Sequence, residues 1–236
     1  MKSAFWAVGL LGAVVMLAPS ARAQSFIAYD LTTPVAGTQN FPSTLGLDFT
    51  VNTALTVQSL GVFDSAVAGV PHTIVDTLVT TIYNRNTGLA VPGLSVSFTA
   101  GSPGTLVGGN LFQTVGGAQG IALGPGNYTV ASTGFINANK VGVSSDAGFV
   151  PDTYNEGGGV ITIDKTHYRY NNAVAPFAGN DVFPATVANG QLNAGTVKFA
   201  LNTPEPGTVS LLLGLGTAGI GAGFRLRRRR KAAPKA

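Results

Sequence analysis

Short segments in which apolar and polar residues alternate run through the middle of the chain, and they constrain its fold more than any other feature. Leu45–Val51 places four apolar side chains on one face and Gly46, Asp48 and Thr50 on the other. A period of two residues is that of a half-buried β-strand, whereas an amphipathic helix repeats every 3.6 residues. No window within residues 24–202 sustains the helical period. The pattern therefore predicts an all-β fold.

The alternation recurs between turn-forming Gly, Pro, Asn and Asp residues. The predicted strands cover residues 25–30, 45–51, 55–64, 74–83, 94–99, 111–115, 127–132, 160–163, 167–170 and 196–201. We expect 74–83 to be the longest strand and 84–88 to be the turn of a hairpin. Gly61, inside a predicted strand, indicates a bulge or a close neighbouring backbone. These regularly spaced short strands predict a single antiparallel β-sandwich, Greek-key or jelly-roll-like, over residues 24–202.

The composition agrees with such a domain. The chain has no Cys, so an exported form of it would depend on its own core and not on disulfides. The 180 residues from 24 to 203 are enough to bury about 70% of the surface of the unfolded chain. Abundant Gly, Val and Thr with few charged residues favour strands and tight turns over helices.

Tyr128 stands at a turn before an alternating strand, in the sequence Leu123-Gly124-Pro125-Gly126-Asn127-Tyr128. In Greek-key sandwiches, a Tyr at such a corner often bonds back to the backbone a few residues upstream and thereby fixes the crossover. We therefore predict a structural role for Tyr128.

The N-terminus has the three parts of a secretory signal peptide. Lys2 supplies the positive charge, residues 4–18 supply the apolar region, and Ala21 and Ala23 flank Arg22 in a small-x-small cleavage site. Cleavage by signal peptidase after Ala23 would leave Gln24 as the new N-terminus, so residues 1–23 are the predicted signal peptide. A retained signal anchor is the alternative.

The C-terminus has a second tripartite pattern. Pro204, Glu205 and Pro206 precede the uncharged residues 208–224, and a cluster of six basic residues follows within 225–231. The 17 residues of 208–224 would form a helix of about 25 Å, the short limit for crossing a hydrocarbon core. Because clustered Arg and Lys stay on the cytoplasmic side, the chain upstream would lie outside.

This ending resembles the PEP-CTERM sorting signal of Gram-negative bacteria over residues 203–231. The resemblance implies that Pro204, Glu205 and Pro206 are recognised by an exosortase, a membrane protease-transpeptidase. That enzyme would remove the helix and pass the protein to the cell surface or the extracellular matrix. Residues 232–236 would form a short cytoplasmic tail before cleavage. The alternative is a single-pass anchor that is never cleaved.

The net charge of the chain has the opposite sign once the two terminal segments are left out. The whole chain carries a net charge of +4, but residues 24–203 hold five basic against nine acidic residues, a net charge of −4. A basic chain would suggest nucleic acid as a partner. Here the basic residues concentrate in targeting segments, so we predict no nucleic-acid partner.

The central region resembles a family of β-sandwich domains of unassigned function that occur in secreted and surface-sorted bacterial proteins. The segments that carry the resemblance are 59–64, 71–74, 108–112 and the turn before Tyr128, within residues 45–132. The family implies no catalytic residues.

Candidate catalytic and metal-binding residues are few. His72 and His167 are the two histidines, and each is interpreted as a surface or backbone-bonded imidazole. No G-x-S-x-G nucleophile motif occurs, which disfavours a hydrolase. Four carboxylates fall near one Gly-rich stretch, and such oxygen-rich loops suit Ca²⁺, although solvated carboxylates are the alternative. They are Asp146, Asp152, Glu156 and Asp164.

Five aromatic residues cluster among Asn and Asp side chains, where they would form either part of the core or a platform that stacks on sugars. They are Phe149, Tyr154, Tyr168, Tyr170 and Phe177.

The sequence thus predicts an exported, C-terminally sorted protein without enzymatic activity or cofactor. We expect a structural or adhesive role in exopolysaccharide or biofilm, with extracellular polysaccharide as a partner and the membrane as a transient one. A carbohydrate-binding module is the first alternative, and a secreted hydrolase is the second.

Overall fold

Two antiparallel β-sheets face each other in the part of the chain that the computed structural model describes. That part comprises residues 24–31, 37–64, 74–136, 139–143, 153–171, 183–189 and 192–202. Residues 23–202 form one compact unit, and a second unit combines residues 1–22 with 203–236. The second unit lies outside the described residues, and so do the predicted signal peptide and the predicted helix at 208–224.

The described residues contain strands, one 3₁₀ turn at Gly117–Gln119 and no α-helix. The strands are β1 (Ser25–Ile27), β2 (Tyr29–Asp30), β3 (Leu45–Val51), β4 (Leu55–Phe63), β5 (Leu78–Asn84), β6 (Ala90–Phe98), β7 (Thr105–Val107), β8 (Asn110–Thr114), β9 (Ile121–Leu123), β10 (Gly126–Thr133), β11 (Gly142–Val143), β12 (Thr153–Tyr154), β13 (Ile161–Ile163), β14 (His167–Tyr170), β15 (Thr186–Asn189), β16 (Leu192–Asn193) and β17 (Gly195–Leu201). The predicted all-β fold is confirmed.

The sandwich consists of a six-stranded and a seven-stranded sheet. The first has the order β1-β17-β4-β8-β7, with β9 also on β4, and the second has the order β15-β14-β3-β10-β5-β6, with β13 also on β3. The consecutive strands β3 and β4 lie in different sheets, and β10 lies between β3 and β5. Such crossovers between sheets are those of a Greek-key sandwich. Two further strand pairs, β2 with β12 and β11 with β16, form separate two-stranded sheets.

Several details differ from the predicted strands, and short strands such as β7, β9 and β15 were not predicted. The segment predicted at 74–83 begins as a strand only at Leu78, so β4 and β6, with nine residues each, are the longest described strands. The segment predicted at 25–30 is divided between β1, which pairs with β17, and β2, which pairs with β12. The bulge in β4 lies where the register shifts opposite Lys198 and Phe199 and not at Gly61.

Gly61 instead makes room for neighbouring side chains. A Cβ atom at this position would lie 2.6 Å from the ring of Phe112 and 2.6 Å from the methyl group of Thr196. Real Cβ atoms do not approach neighbours so closely, so these two side chains occupy the space that a larger residue would need.

The core between the sheets has two hydrophobic clusters. One includes Phe49, Leu60, Ile82, Val130 and Phe199, and the other includes Leu45, Val62, Leu78, Phe98 and Leu111. Both draw residues from both sheets, as a sandwich requires.

A buried polar pair lies between the two clusters. Thr80 of β5 and Ser132 of β10 are fully buried, and their hydroxyl oxygens lie 2.6 Å apart. Thr80 also donates to the backbone carbonyl of Gly61 in the opposite sheet, at 3.3 Å. A Cβ atom at Gly195 would lie 2.6 Å from the Ser132 hydroxyl, so glycine allows the sheets to approach here.

Candidate functional site

A charged cluster lies on the outer face of the seven-stranded sheet, around Asp48 of β3. Because side chains alternate along a strand, Asp48 points away from the core that Phe49 enters. Arg169 of β14 donates from Nε to both carboxylate oxygens, each at 2.6 Å, and the Thr129 hydroxyl donates at 2.5 Å. Arg85 places its Nε 3.4 Å from the same carboxylate. We call these four residues the Asp48 cluster.

The segment 183–185 covers the Asp48 cluster. Phe183 places its ring centroid 5.4 Å from the Arg169 guanidinium and 5.8 Å from the ring of Tyr83. Arg169 also donates from Nη1 to the Ala185 carbonyl at 3.3 Å. Asp48 is therefore only 5% exposed. A buried carboxylate with several donors serves as a structural anchor and is closed to a substrate.

The Asp48 cluster was not predicted from the sequence. Two sequence features could have indicated it. They are the outward position of Asp48 in the alternating pattern of β3 and the small number of basic residues in this domain. Arg85 and Arg169 are two of only five basic residues between 24 and 203. Charges that are rare in a domain and buried are usually paired, but the pairing itself depends on contacts distant in sequence.

The predicted calcium-binding stretch is described only in part, because Asp146 and Asp152 lie outside the described residues. Glu156 accepts from the Ile163 backbone N–H at 3.1 Å and lies 3.1 Å from Lys165 Nζ. These two interactions, the backbone hydrogen bond first, lower the pKa of Glu156. Glu156 therefore serves as an acceptor within its own loop.

Asp164 and His167 form a second local contact. The Nδ1 atom of His167 lies 3.0 Å from Asp164 Oδ2 and 2.8 Å from the Thr166 hydroxyl. Burial raises the pKa of Asp164, but hydrogen bonds from the Thr166 backbone and hydroxyl and from His167 outweigh it and leave the pKa lowered. Among the described residues, no three acidic, His or Cys side chains are grouped as metal ligands. The other histidine, His72, lies outside those residues.

The predicted aromatic platform divides into two groups. Tyr168 and Tyr170 lie 5.9 Å apart between ring centroids, and Phe41 contacts Tyr170 edge-on at 6.4 Å. Tyr154 instead contacts Tyr29 at 5.4 Å. The remaining two residues of the prediction, Phe149 and Phe177, lie outside the described residues.

Phe41, Tyr168 and Tyr170, which we call the aromatic triplet, pack against the second core cluster and are each half-buried. Aromatic rings in this position have one face on the core and an edge or face toward solvent. Phe41 was missed from the sequence because it lies far from the tyrosines along the chain.

Tyr128 has the predicted structural role. Its hydroxyl donates to the backbone carbonyl of Gly124, four residues upstream, at 3.0 Å. Its ring lies in the core and stacks on Phe49 at 5.8 Å. The hydrogen bond closes the turn through which the chain passes from β9 in one sheet to β10 in the other, as predicted.

The predicted processing residues lie outside the described part of the chain. They are Ala21, Ala23, Pro204, Glu205 and Pro206. The last described residue is Asn202, directly after β17. Within the described ranges, the chain forms no helix long and apolar enough to cross a membrane.

Comparison with known proteins identifies one segment. A family model described as the PEP-CTERM protein-sorting motif matches residues 202–230. No curated protein and no solved structure matches the chain. The motif implies export, transient anchoring at the membrane and processing by an exosortase. The chain therefore carries the PEP-CTERM protein-sorting motif of an exosortase substrate and is an exported, C-terminally sorted protein.

Proposed function

We propose that the mature domain is a non-enzymatic structural or adhesive component of the exopolysaccharide matrix of a biofilm. Signal peptidase would release the N-terminus after Ala23, and exosortase would remove the C-terminal segment and leave the domain at the cell surface or in the matrix. The observation that carries this proposal is the sorting motif at residues 202–230. The motif directs a protein outward, where the domain would meet extracellular polysaccharide.

The state of the ionisable side chains supports a non-enzymatic role. A general acid, base or nucleophile has to reach a substrate. Asp48 is covered by Phe183 and paired with Arg169, and Glu156 accepts a backbone hydrogen bond of its own loop. His167 is held by Asp164, its neighbour in the same turn. These groups stabilise the fold locally.

A deletion of the gene in the producing bacterium tests the proposal. We expect the mutant to form less cohesive biofilm and the wild-type gene to restore it. A variant truncated after Asn202 is the matched control, because it retains the described domain and lacks the motif. It should be exported without restoring the biofilm. Unchanged biofilm in the deletion mutant would contradict the proposed role.

A carbohydrate-binding module is the second candidate, and the aromatic triplet favours it. Half-buried tyrosines offer both a ring for stacking and a hydroxyl for hydrogen bonds. The test is binding of the purified protein to a glycan array, with Tyr168→Ala expected to weaken it. Tyr154→Ala is the control, because Tyr154 lies in the other aromatic group, against Tyr29. Equal binding by both variants and the wild type would exclude the triplet as the site.

A further inference from the structure

The first residue of the sorting motif, Asn202, is hydrogen-bonded to the sandwich. Asn202 is the first residue that the motif model matches, and its side-chain Oδ1 accepts a 2.5 Å hydrogen bond from the Thr56 hydroxyl of β4. The preceding residue, Leu201, pairs with Leu55 in the ladder between β17 and β4. The chain is thus held against the sandwich at Leu201 and Asn202.

Strand β17, which directly precedes the motif, is an interior strand of its sheet. It lies between β1 and β4, so both of its edges are paired. On the β1 side, Ser25 pairs with Ala200, and the rings of Phe26 and Phe199 stack at 5.5 Å. A strand paired on both edges frays less than an edge strand. The paired part of β17 thus ends at Leu201, three residues before Pro204 in the chain.

The short spacing limits how far the recognised residues can be from the domain. An extended chain spans at most about 3.5 Å per residue, so two residues of chain reach about 7 Å and four residues about 14 Å. An enzyme that holds Pro204 to Pro206 in a cleft must approach the end of β17 at the same time. It therefore meets the loops that surround this end.

The strand register identifies the loops that lie beside Asn202. Leu55, which pairs with both Leu201 and Leu123, places the loop 52–54 and the turn 124–125 beside Asn202. All five residues of this loop and turn are exposed and uncharged. They are Asn52, Thr53, Ala54, Gly124 and Pro125. We call them the motif-proximal surface.

We propose that the motif-proximal surface is a docking site for the exosortase, so that the enzyme recognises the end of the folded sandwich together with the motif. Short uncharged loops suit such contact, since they present little to desolvate beyond backbone and small side chains. The inference goes beyond the proposed matrix role and depends on the sorting motif alone.

Single labels can test the docking site because the chain has no Cys. In the full-length precursor, reconstituted in vesicles with its exosortase, Ala54→Cys is coupled to a maleimide-linked polyethylene glycol chain. Ala100→Cys is the matched control. Ala100 is also exposed, and it follows β6 at the end where Phe98 pairs with Leu78, opposite to the end where β17 terminates. Cleavage is followed by intact mass.

We expect the label at Ala54 to slow cleavage by about tenfold or more relative to the label at Ala100, as loss of a central contact does. A flexible Gly-Ser linker of about 20 residues between Asn202 and Thr203, spanning about 25 Å on average, separates the motif from the surface, so it should slow cleavage of the unlabelled precursor and should not restore cleavage of the Ala54-labelled one. Equal rates for the two labelled precursors would overturn the proposal. So would a linker that restores the Ala54-labelled precursor to the rate of the Ala100-labelled one, because the label would then act only by crowding the motif.

Vesicles that lack exosortase distinguish contact of the same surface with lipid from contact with the enzyme. If the Ala54 label reduces membrane insertion of the precursor in vesicles that lack exosortase, the surface acts on lipid and the proposal fails. If insertion is equal for both labels and only cleavage differs, the surface contacts the enzyme. None of these measurements depends on polysaccharide, so failure here leaves the matrix role separately testable.

Discussion

Arg169 Nε lies 2.6 Å from each carboxylate oxygen of Asp48, a residue 121 positions earlier in the chain. This bifurcated contact joins β14 to β3 on the outer face of the seven-stranded sheet. The side chains of Asp48 and Arg169 are only 7% and 13% exposed. With both groups removed from water, loss of Asp48 leaves the Arg169 charge uncompensated, and loss of Arg169 leaves Asp48 only the longer contact with Arg85.

Replacement of Asp48 should therefore be costly. We expect Asp48→Asn to lower the free energy of unfolding by about 3 kcal/mol, measured by denaturant titration of the mature domain. In a double-mutant cycle, Asp48→Asn and Arg169→Gln together should cost less than the sum of the single changes. Arg85→Gln is the matched control and should cost less than about 1 kcal/mol, since Arg85 is more exposed and its contact is longer. Additive losses at Asp48 and Arg169 would show that the pair is not coupled.

The Tyr128 corner predicts a smaller effect. Tyr128→Phe removes the hydroxyl that donates to Gly124 but keeps the ring on Phe49, so the free energy of unfolding should fall by about 1 kcal/mol. The control is Tyr168→Phe, where the ring is half-buried and the change should be close to neutral. An unaltered melting temperature for Tyr128→Phe would remove the structural role of the corner.

The local parts of this fold could be predicted from sequence, and the contacts between distant segments could not. The bounds of β3 and β14 and the turn at Tyr128 follow from alternation and turn residues within a few positions. The start of β5 does not, because the apolar alternation extends back to Ile74 while pairing with β6 begins at Leu78. The start of β5 is therefore set by its pairing with β6 and not by the apolar alternation.

The Asp48 cluster illustrates the same limit for the candidate site. Alternation places Asp48 on the outer face, where the expected environment is solvent. Its burial depends on Arg169 and on Phe183, which come from the later part of the chain. No short-range pattern relates these positions, so the pairing requires the fold.

The loop that contains Glu156 should lose part of its contribution to stability in acid. Its hydrogen bond from Ile163 and its contact with Lys165 lower the pKa in the folded state below the ordinary value of 4.5. The stabilisation is therefore fully present above pH 4.5 and is lost as the pH falls through the lower, folded-state pKa.

The measurement is the difference in melting temperature between the wild type and Glu156→Gln. We expect the wild type to be more stable at neutral pH and the difference to shrink below the ordinary pKa of the carboxyl group. The effect is small because the pair with Lys165 is partly exposed. A difference independent of pH would mean that the charge of Glu156 contributes nothing.

Processing at the C-terminus provides the last prediction. If exosortase reads Pro204, Glu205 and Pro206, the protein at the surface should lack everything from about Pro206 onward. Glu205→Ala leaves residues 208–224 unchanged, and the insertion of this segment depends on its apolar side chains. The variant should therefore accumulate in the inner membrane at near full length. Glu156→Ala is the control for loss of a glutamate and should be processed like the wild type.

Intact-mass measurement on fractionated cells distinguishes cleavage from permanent anchoring. Under the cleavage hypothesis, the mass of the wild-type surface protein falls by the apolar segment and the basic cluster together, whereas Glu205→Ala keeps both. Under permanent anchoring, the wild type and the variant have the same length and the same location, because membrane insertion does not depend on Glu205. A wild-type surface protein that still carries residues 227–231 would exclude processing by exosortase at this motif.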